Sequence, residues 1–360
     1  MVLKREMLIK FFEKMYGRLE DFVARPLYGP PSVKEYGYGS PVYVEFTAEG
    51  TRRRFVVQTL RADRFGHDYM SDRAAALLWA YRAYNKLPGH VRAIDVGYIS
   101  SDGELSSVKD AEEFFLVVEY VEGELYYRDL ERLRDGGELR QLDLDRAALL
   151  ASYIADLHMA DPGDVDREIY TRRIRDLVGH GECIMGLIDS YGWAPLQVTS
   201  DEWLRRVEHL VVDWRWKLKG RKHRVRIVHG DYHPWNVMFT GERSFIVLDR
   251  SRGDWGEPAD DVAAMTINYL FFSLQRSGRF EEPFRSLWME FYETYLDKTG
   301  DEELVEVIQP FYAWRGLVIA SPIWYPNLPP NVRSSIFRFI ENVLKDEVFN
   351  YKNVESYLGE

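Results

Sequence analysis

The segment that most constrains this chain is residues 227–263, IVHGDYHPWNVMFTGERSFIVLDRSRGDWGEPADDVA. Apolar runs at 226–228 and 244–248 each deliver a polar cluster at their C-terminal end, with 237–239 between them, so the pattern reads as strand, loop, hairpin, loop. The polar residues therefore fall at loop positions. Asp231 follows the first strand, Asn236 lies five residues on, and Asp249 closes the hairpin thirteen residues later. A carboxylate, an amide oxygen and a second carboxylate, converging from two adjacent strand ends, suit phosphoryl transfer. Asp231 is the candidate base for an acceptor hydroxyl, and Asn236 and Asp249 are the candidate oxygen ligands for magnesium.

HGDYHPWN followed by VLD resembles the catalytic core of the aminoglycoside phosphotransferase and choline kinase superfamily, relatives of the protein kinases. The kinase loop H-R-D-x-x-x-x-N has the Asp-to-Asn spacing of Asp231 and Asn236. Gly256, Pro258 and Asp261 stand where the family's D…G-D-P…D-L-A run has its glycine, proline and final Asp, with Glu257 replacing the middle Asp. The resemblance implies an α+β, bilobal, protein-kinase-like fold. Residues 1–119 would form an N-terminal helix and a small antiparallel β lobe covering the nucleotide, and residues 120–360 a mainly helical lobe for catalysis and acceptor binding. It further implies ATP and Mg2+ as cofactors and a small-molecule hydroxyl acceptor. Within the loop, His229 is expected to brace the chain, His233 to contact the transferring phosphate, and Asp261 to hold the loop backbone.

Composition narrows the alternatives. The 360 residues suffice for two cores, and 46% hydrophobic and 14% aromatic content excludes a disordered chain. A net charge of −11 argues against nucleic-acid binding, and no uncharged apolar run is long enough to suggest membrane insertion. The basic stretch at 215–226 ends a helical pattern begun by Asp201 and Glu202, so it reads as a solvated helix end. Cys183 is the only cysteine, which excludes an intrachain disulfide and suits a cytoplasmic protein. Leu3, Met7, Leu8, Phe11, Phe12, Met15, Leu19 and Phe22 recur at helical spacing, predicting one amphipathic helix rather than a signal peptide.

Residues 33–60 read as two or three strands, VKEYGYG, PVYVEFTAEG and RRRFVVQTL, with a turn at 48–50. Gly37, Gly39 and Ser40 supply the turn expected to cover the phosphates, and Val56 and Gln58 share one face of the strand that follows. Family members carry a lysine where Gln58 stands. A helix over 71–84, capped by Ser71 or Asp72, has Arg73 near the place of the lysine's glutamate partner, so Arg73, and after it Arg61, is expected to replace the lost charge. The missing lysine also motivates the alternative of a non-catalytic nucleotide-binding scaffold. A protein kinase is disfavoured, because HGDYHPWN matches the small-molecule enzymes better.

Two further strands are expected at 90–100 and 112–123, the second passing through Glu119 and Val121 as the adenine-binding hinge. Beyond it, a helix capped by Asp145 and ending at Pro162 carries His158 as a packed residue. Arg172, Arg173 and Arg175 follow, read as facing water in preference to an anionic substrate. Trp314, Trp324 and Tyr325 are read mainly as core.

Overall fold

A computed structural model describes residues 3–27, 38–194, 197–252 and 254–359. The chain divides into two compact units, Met1–Val118 and Glu119–Glu360. The class is α+β, with short antiparallel sheets and many helices.

In the first unit, α1 (Arg5–Tyr16) is shorter than the apolar spacing predicts. Gly17, at φ 72°, stops it, and the chain enters β1 (Glu20–Pro26). Leu19 and Phe22 still reach the same core, but from the approach to and within a strand. β2 (Gly39–Ala48) and β3 (Thr51–Leu60) pair in register from Gly39 opposite Leu60 to Ala48 opposite Thr51. Their two-residue turn puts Glu49 and Gly50 at φ 48° and 69°, the left-handed pair that matches strand twist. The core is Leu8 and Phe12 of α1 against Val44, Phe46 and Ala48 of β2. The strand expected at the start of 33–60 lies mostly outside the described residues, and β1 is the observed edge partner of β2.

Next comes α2 (Met70–Tyr84), whose first turn is closed by Asp72 Oδ2 accepting from the Tyr69 N–H at 2.7 Å, not by a Ser71 cap. β4 (Gly97–Ile99) and β5 (Leu105–Ser107) form a local hairpin. Residues 111–123 form no strand, and Phe115 and Leu116 are almost wholly exposed. The expected second strand does not form among the described residues: β4 closes on the nearer β5, and the apolar run has no ladder partner among them.

The second unit opens with β6 (Glu124–Leu125), α3 (Tyr127–Arg134) and α4 (Gln141–Met159). α4 begins before Asp145, because Asp143 accepts from the Arg140 N–H at 2.8 Å and caps it there. α5 (Ile169–Gly179), α6 (Ile184–Tyr191) and α7 (Asp201–Leu218) follow, α7 capped by Ser200. Short strands β7 (Arg226–Ile227), β8 (Val237–Phe239), β9 (Phe245–Val247) and β10 (Trp255–Gly256) then alternate with the polar loops. β7 pairs with β10, while β8 pairs with β6 and β9. The chain finishes with α8 (Pro258–Ser277), α9 (Phe284–Thr299), α10 (Gln309–Ala320) and α11 (Pro330–Lys345).

α8 is buried continuously from Pro258 to Leu274. A helix enclosed on every side is the natural centre of a helical unit, and α9 and α10 pack against it. Thr266 is satisfied within the core: its Oγ1 lies 2.6 Å from the Tyr312 hydroxyl, which lies 2.5 Å from that of Tyr292. The first turn of α8 carries Asp260 and Asp261 to the loop after β7.

Candidate active site

The loop after β7 is held from below by Asp261. Its two carboxylate oxygens accept the backbone N–H groups of His229 and Gly230, each at 2.8 Å, and Oδ2 also meets His158 Nε2 at 3.1 Å. His158 is buried and passes its other ring nitrogen to the Tyr295 hydroxyl at 2.8 Å. Burial opposes ionisation of Asp261, but these donors keep its carboxyl below the usual range. Gly230 sits at φ 84°, and a Cβ there would come within 3.2 Å of Arg252 Cβ, so both conformation and space require glycine.

Asp231 is buried and doubly constrained. Oδ1 accepts from Arg315 Nη1 at 2.5 Å; Oδ2 lies 3.6 Å from both His233 Nε2 and Arg252 Nη2. Burial alone would raise its pKa, yet Arg315, His233 and Arg252 hold the carboxyl far below the carboxylate range. Arg315 in turn donates Nη2 to Asp260 Oδ1 at 2.7 Å and to the Gly230 carbonyl at 3.2 Å. Asp260 differs: complete burial, with Asp261 adjacent, pushes it up to about 6 despite the arginine.

His229 is buried, and its Nδ1 accepts the Asp231 N–H at 3.3 Å, so the ring splints its own turn. Desolvation lowers its pKa, leaving a neutral ring. His233 caps the turn at 234–236, with Nδ1 accepting from Trp235 N–H at 3.2 Å, which leaves Nε2 toward Asp231. Trp235 stacks on Tyr127 with ring centroids 5.1 Å apart.

The β8–β9 ladder sets the backbone of Asn236 against the residue before Asp249. Asn236 Nδ2 donates to the Asp231 carbonyl at 3.0 Å, and the Asn236 carbonyl accepts from Leu248 N–H at 2.8 Å, one residue before Asp249. With Nδ2 spent, Oδ1 is the amide atom left for a ligand, and a hard oxygen is what magnesium takes. Asp249 is exposed and sits at φ 50°, a strained left-handed position that Asp tolerates better than most side chains.

The remaining candidate binding residues belong largely to the first unit. Gly37 lies outside the described residues. Gly39, Ser40 and Gln58 are close together at the open end of the β2–β3 ladder, where Gln58 Nε2 would be 2.9 Å from a Cβ at Gly39. Val56 is exposed on the same strand face. Arg61 Nε donates to Ser40 Oγ at 3.2 Å, whereas Arg73 Nη1 is given to the carbonyls of His67 and Asp68 at 2.7 and 3.0 Å. Arg61 is thus the cation beside Ser40. Glu119 and Val121 lie in the 111–123 segment, which forms no strand among the described residues, so the hinge strand expected to carry them is not seen there.

Arg315, Asp260 and the network around Glu257 escape a reading based on motif spacing. Arg315 had a signal: it is the lone charge in the otherwise apolar FYAWRGLVIA, and such a charge needs a buried partner. Glu257 caps α8 and receives Arg224 through three donor contacts of 2.6–3.0 Å, with Tyr170 OH at 2.7 Å. Arg224 comes from the basic stretch read as solvated, and it is buried. Trp314 is core, as expected, while Trp324 is exposed.

The profile of the phosphotransferase enzyme family, APH, matches residues 45–303, more than half of the chain, and the protein belongs to that family. No curated protein matches the sequence. Among solved structures, a glucosamine kinase with glucosamine, ADP and inorganic phosphate is 19% identical, with a TM-score of 0.38, 57% of this chain covered and 56% of that one. This chain thus spans just over half of that protein. A second glucosamine kinase structure is 15% identical over 91% of this chain and 94% of that one, with a TM-score of 0.42. The ethanolamine kinase of Plasmodium vivax is 12% identical over 98% and 85%, with a TM-score of 0.35. Among the described residues, no helix is long and apolar enough to cross a membrane.

Proposed function

We propose that the protein is an ATP- and magnesium-dependent kinase that transfers the γ-phosphoryl group to a hydroxyl of a small molecule. The observation that carries this reading is the register of Asp231, Asn236 and Asp249: one hydrogen bond ties Asn236 to Asp231 and another ties it to the residue before Asp249. Asn236 Oδ1 and the Asp249 carboxylate would hold the metal, which would supply charge neutralisation for the phosphates. Asp231 orients the acceptor hydroxyl and takes its proton. A carboxylate this strongly paired is a weak base, so the proton moves late, as a loose phosphoryl transition state permits. His229 fixes the loop and His233 faces the carboxylate edge.

In the first unit, Gly39, Ser40 and Gln58 supply backbone and neutral donors to phosphates, with Arg61 bringing the charge that Gln58 lacks. Arg73 is the second choice, because one guanidinium nitrogen is already shared by two carbonyls. Glu119 and Val121 are proposed to meet the adenine through backbone groups. The protein is proposed to act in the cytoplasm. A scaffold reading is favoured by Gln58 alone. Isothermal titration of ATP with and without Mg2+, followed by ADP release with a panel of hydroxyl acceptors, separates the two. Magnesium-dependent binding with turnover supports the kinase; binding without turnover on any acceptor supports the scaffold.

A further inference from the structure

Three guanidiniums crowd the loop around buried Asp231 and Asp260. Arg315 makes the direct hydrogen bonds to Asp231 Oδ1 and Asp260 Oδ1, at 2.5 and 2.7 Å. Arg252 approaches Asp231 Oδ2 only to 3.6 Å and Glu182 Oε2 only to 3.5 Å, and its buried Nε and Nη1 have no hydrogen-bond acceptor among the described residues. Its Cζ lies 5.1 Å from the Trp314 ring centroid, which fixes the plane of the fork. Arg173, from α5, makes no hydrogen bond or ion pair among the described residues. It reaches the same loop: Nη2 and Nε would lie 3.7 Å from a Cβ at Gly230 and at Gly256, respectively.

The two buried donors of Arg252 that lack acceptors are costly, and a bound oxyanion relieves that cost by accepting from them, with the Arg173 fork at the same loop. A cationic acceptor would meet two guanidiniums instead. Arg173 Nη2 stands over Gly230, Arg252 packs its Cβ on the same residue, and Arg252 Nη2 faces Asp231 Oδ2, the side-chain edge of the candidate base, whereas Asn236 is bonded to the backbone carbonyl of Asp231. We propose that Arg173 and Arg252 form an oxyanion subsite for the acceptor, so that the phosphorylated molecule is a hydroxy compound bearing a carboxylate or a phosphate ester. The assignment rests on the kinase reading above, and for Arg173 it takes up the anionic-substrate alternative, while Arg175 is exposed.

The test uses inorganic sulfate as probe on the full chain, with Mg2+ and a non-hydrolysable ATP analogue present, against chloride at matched ionic strength. The expected result is saturable thermal stabilisation by sulfate while the triphosphate site is filled. Arg173→Gln and Arg252→Gln should each weaken apparent sulfate affinity by roughly tenfold, the loss of one charged hydrogen bond, while analogue binding persists and shows that each variant is folded. Sulfate stabilisation seen with ADP but abolished by the analogue would place the arginines on the transferring phosphoryl group and overturn the acceptor assignment. Absence of a sulfate effect under both conditions overturns it too. Failure of the wild-type chain to bind any magnesium nucleotide, with sulfate binding intact, would sink the kinase reading and leave only an anion site. Matched glycerate, glycerol and ethanolamine as acceptors supply the kinetic arm: the acid should have the highest kcat/KM, and preference for the amine contradicts the proposal.

Discussion

Arg315 decides the chemistry of this site at the level of single residues. It keeps Asp231 ionised and shares itself with Asp260, so its removal leaves two buried carboxylates unserved. Arg315→Met is expected to cost about 3–5 kcal/mol of stability by urea denaturation, the usual result of breaking a buried ion pair from one side. Adding Asp260→Asn to that variant should recover part of the loss, because one unpaired charge is gone. Asp260 also predicts a pH dependence of defined sign. Its folded-state pKa is raised to about 6 by burial, above the unfolded value near 3.8, so the folded state holds the extra proton between these limits. The stability it contributes is full below about pH 4 and lost as pH rises through about 6. Asp260→Asn removes that slope, and denaturation curves of both proteins from pH 4 to 7 check it. At the metal pair, Asp249→Ala is expected to abolish the magnesium-dependent component of ATP binding in calorimetry; unchanged Mg-ATP affinity would end the ligand assignment.

Elements carry two further constraints. α8 starts on the Glu257 cap, and that carboxylate also neutralises buried Arg224 together with Asp301, which Arg224 meets at 2.7 and 2.8 Å. Glu257→Ala removes a cap and half of the pairing, so it should destabilise by about 3–5 kcal/mol, more than Asp301→Ala at the more exposed end. α10 and α11 approach closely at Gly316, where a Cβ would stand 2.6 Å from Ile340 Cγ1. Gly316→Ala is expected to cost about 1–3 kcal/mol through overpacking and to disturb Arg315 beside it. The elements were unevenly legible in the sequence. The β2–β3 hairpin and the helices after residue 261 followed from alternation and helical spacing, which local residues set. The N-terminal helix was read too long because Leu19 and Phe22 keep a helical phase while Gly17 breaks the backbone. The run at 112–123 looked like a strand, but a strand exists only with a partner, and pairing is not written locally.

For the whole molecule, what could be read ahead of the structure was the part fixed by short spacing. Asp231, Asn236, Asp249 and Asp261 lie within thirty-one residues; the bond of Asn236 to Asp231 is local to one loop, and Asp261 reaches from the first turn of α8 to the N–H groups of His229 and Gly230. The groups that tune them come from far along the chain: Arg315 is 84 positions from Asp231, and His158 is 103 from Asp261. Such pairings depend on how helices stack, so only the rule that a buried charge needs a partner hinted at them. Charge shows the same contrast: the chain carries −11 overall, yet Arg315 and Arg252 both face Asp231.

The central claim is that Asp231 serves transfer of a phosphoryl group from magnesium ATP to an alcohol. Phosphorus-31 NMR of ATP, Mg2+ and a mixture of hydroxy acids and sugar phosphates, with wild-type enzyme and with Asp231→Asn, tests it most directly. The wild type should convert the γ-phosphorus signal into a new phosphate ester, and the variant should do so about 10²–10⁴-fold more slowly. ATP affinity should change little. Ester formation by Asp231→Asn at the wild-type rate would contradict the account.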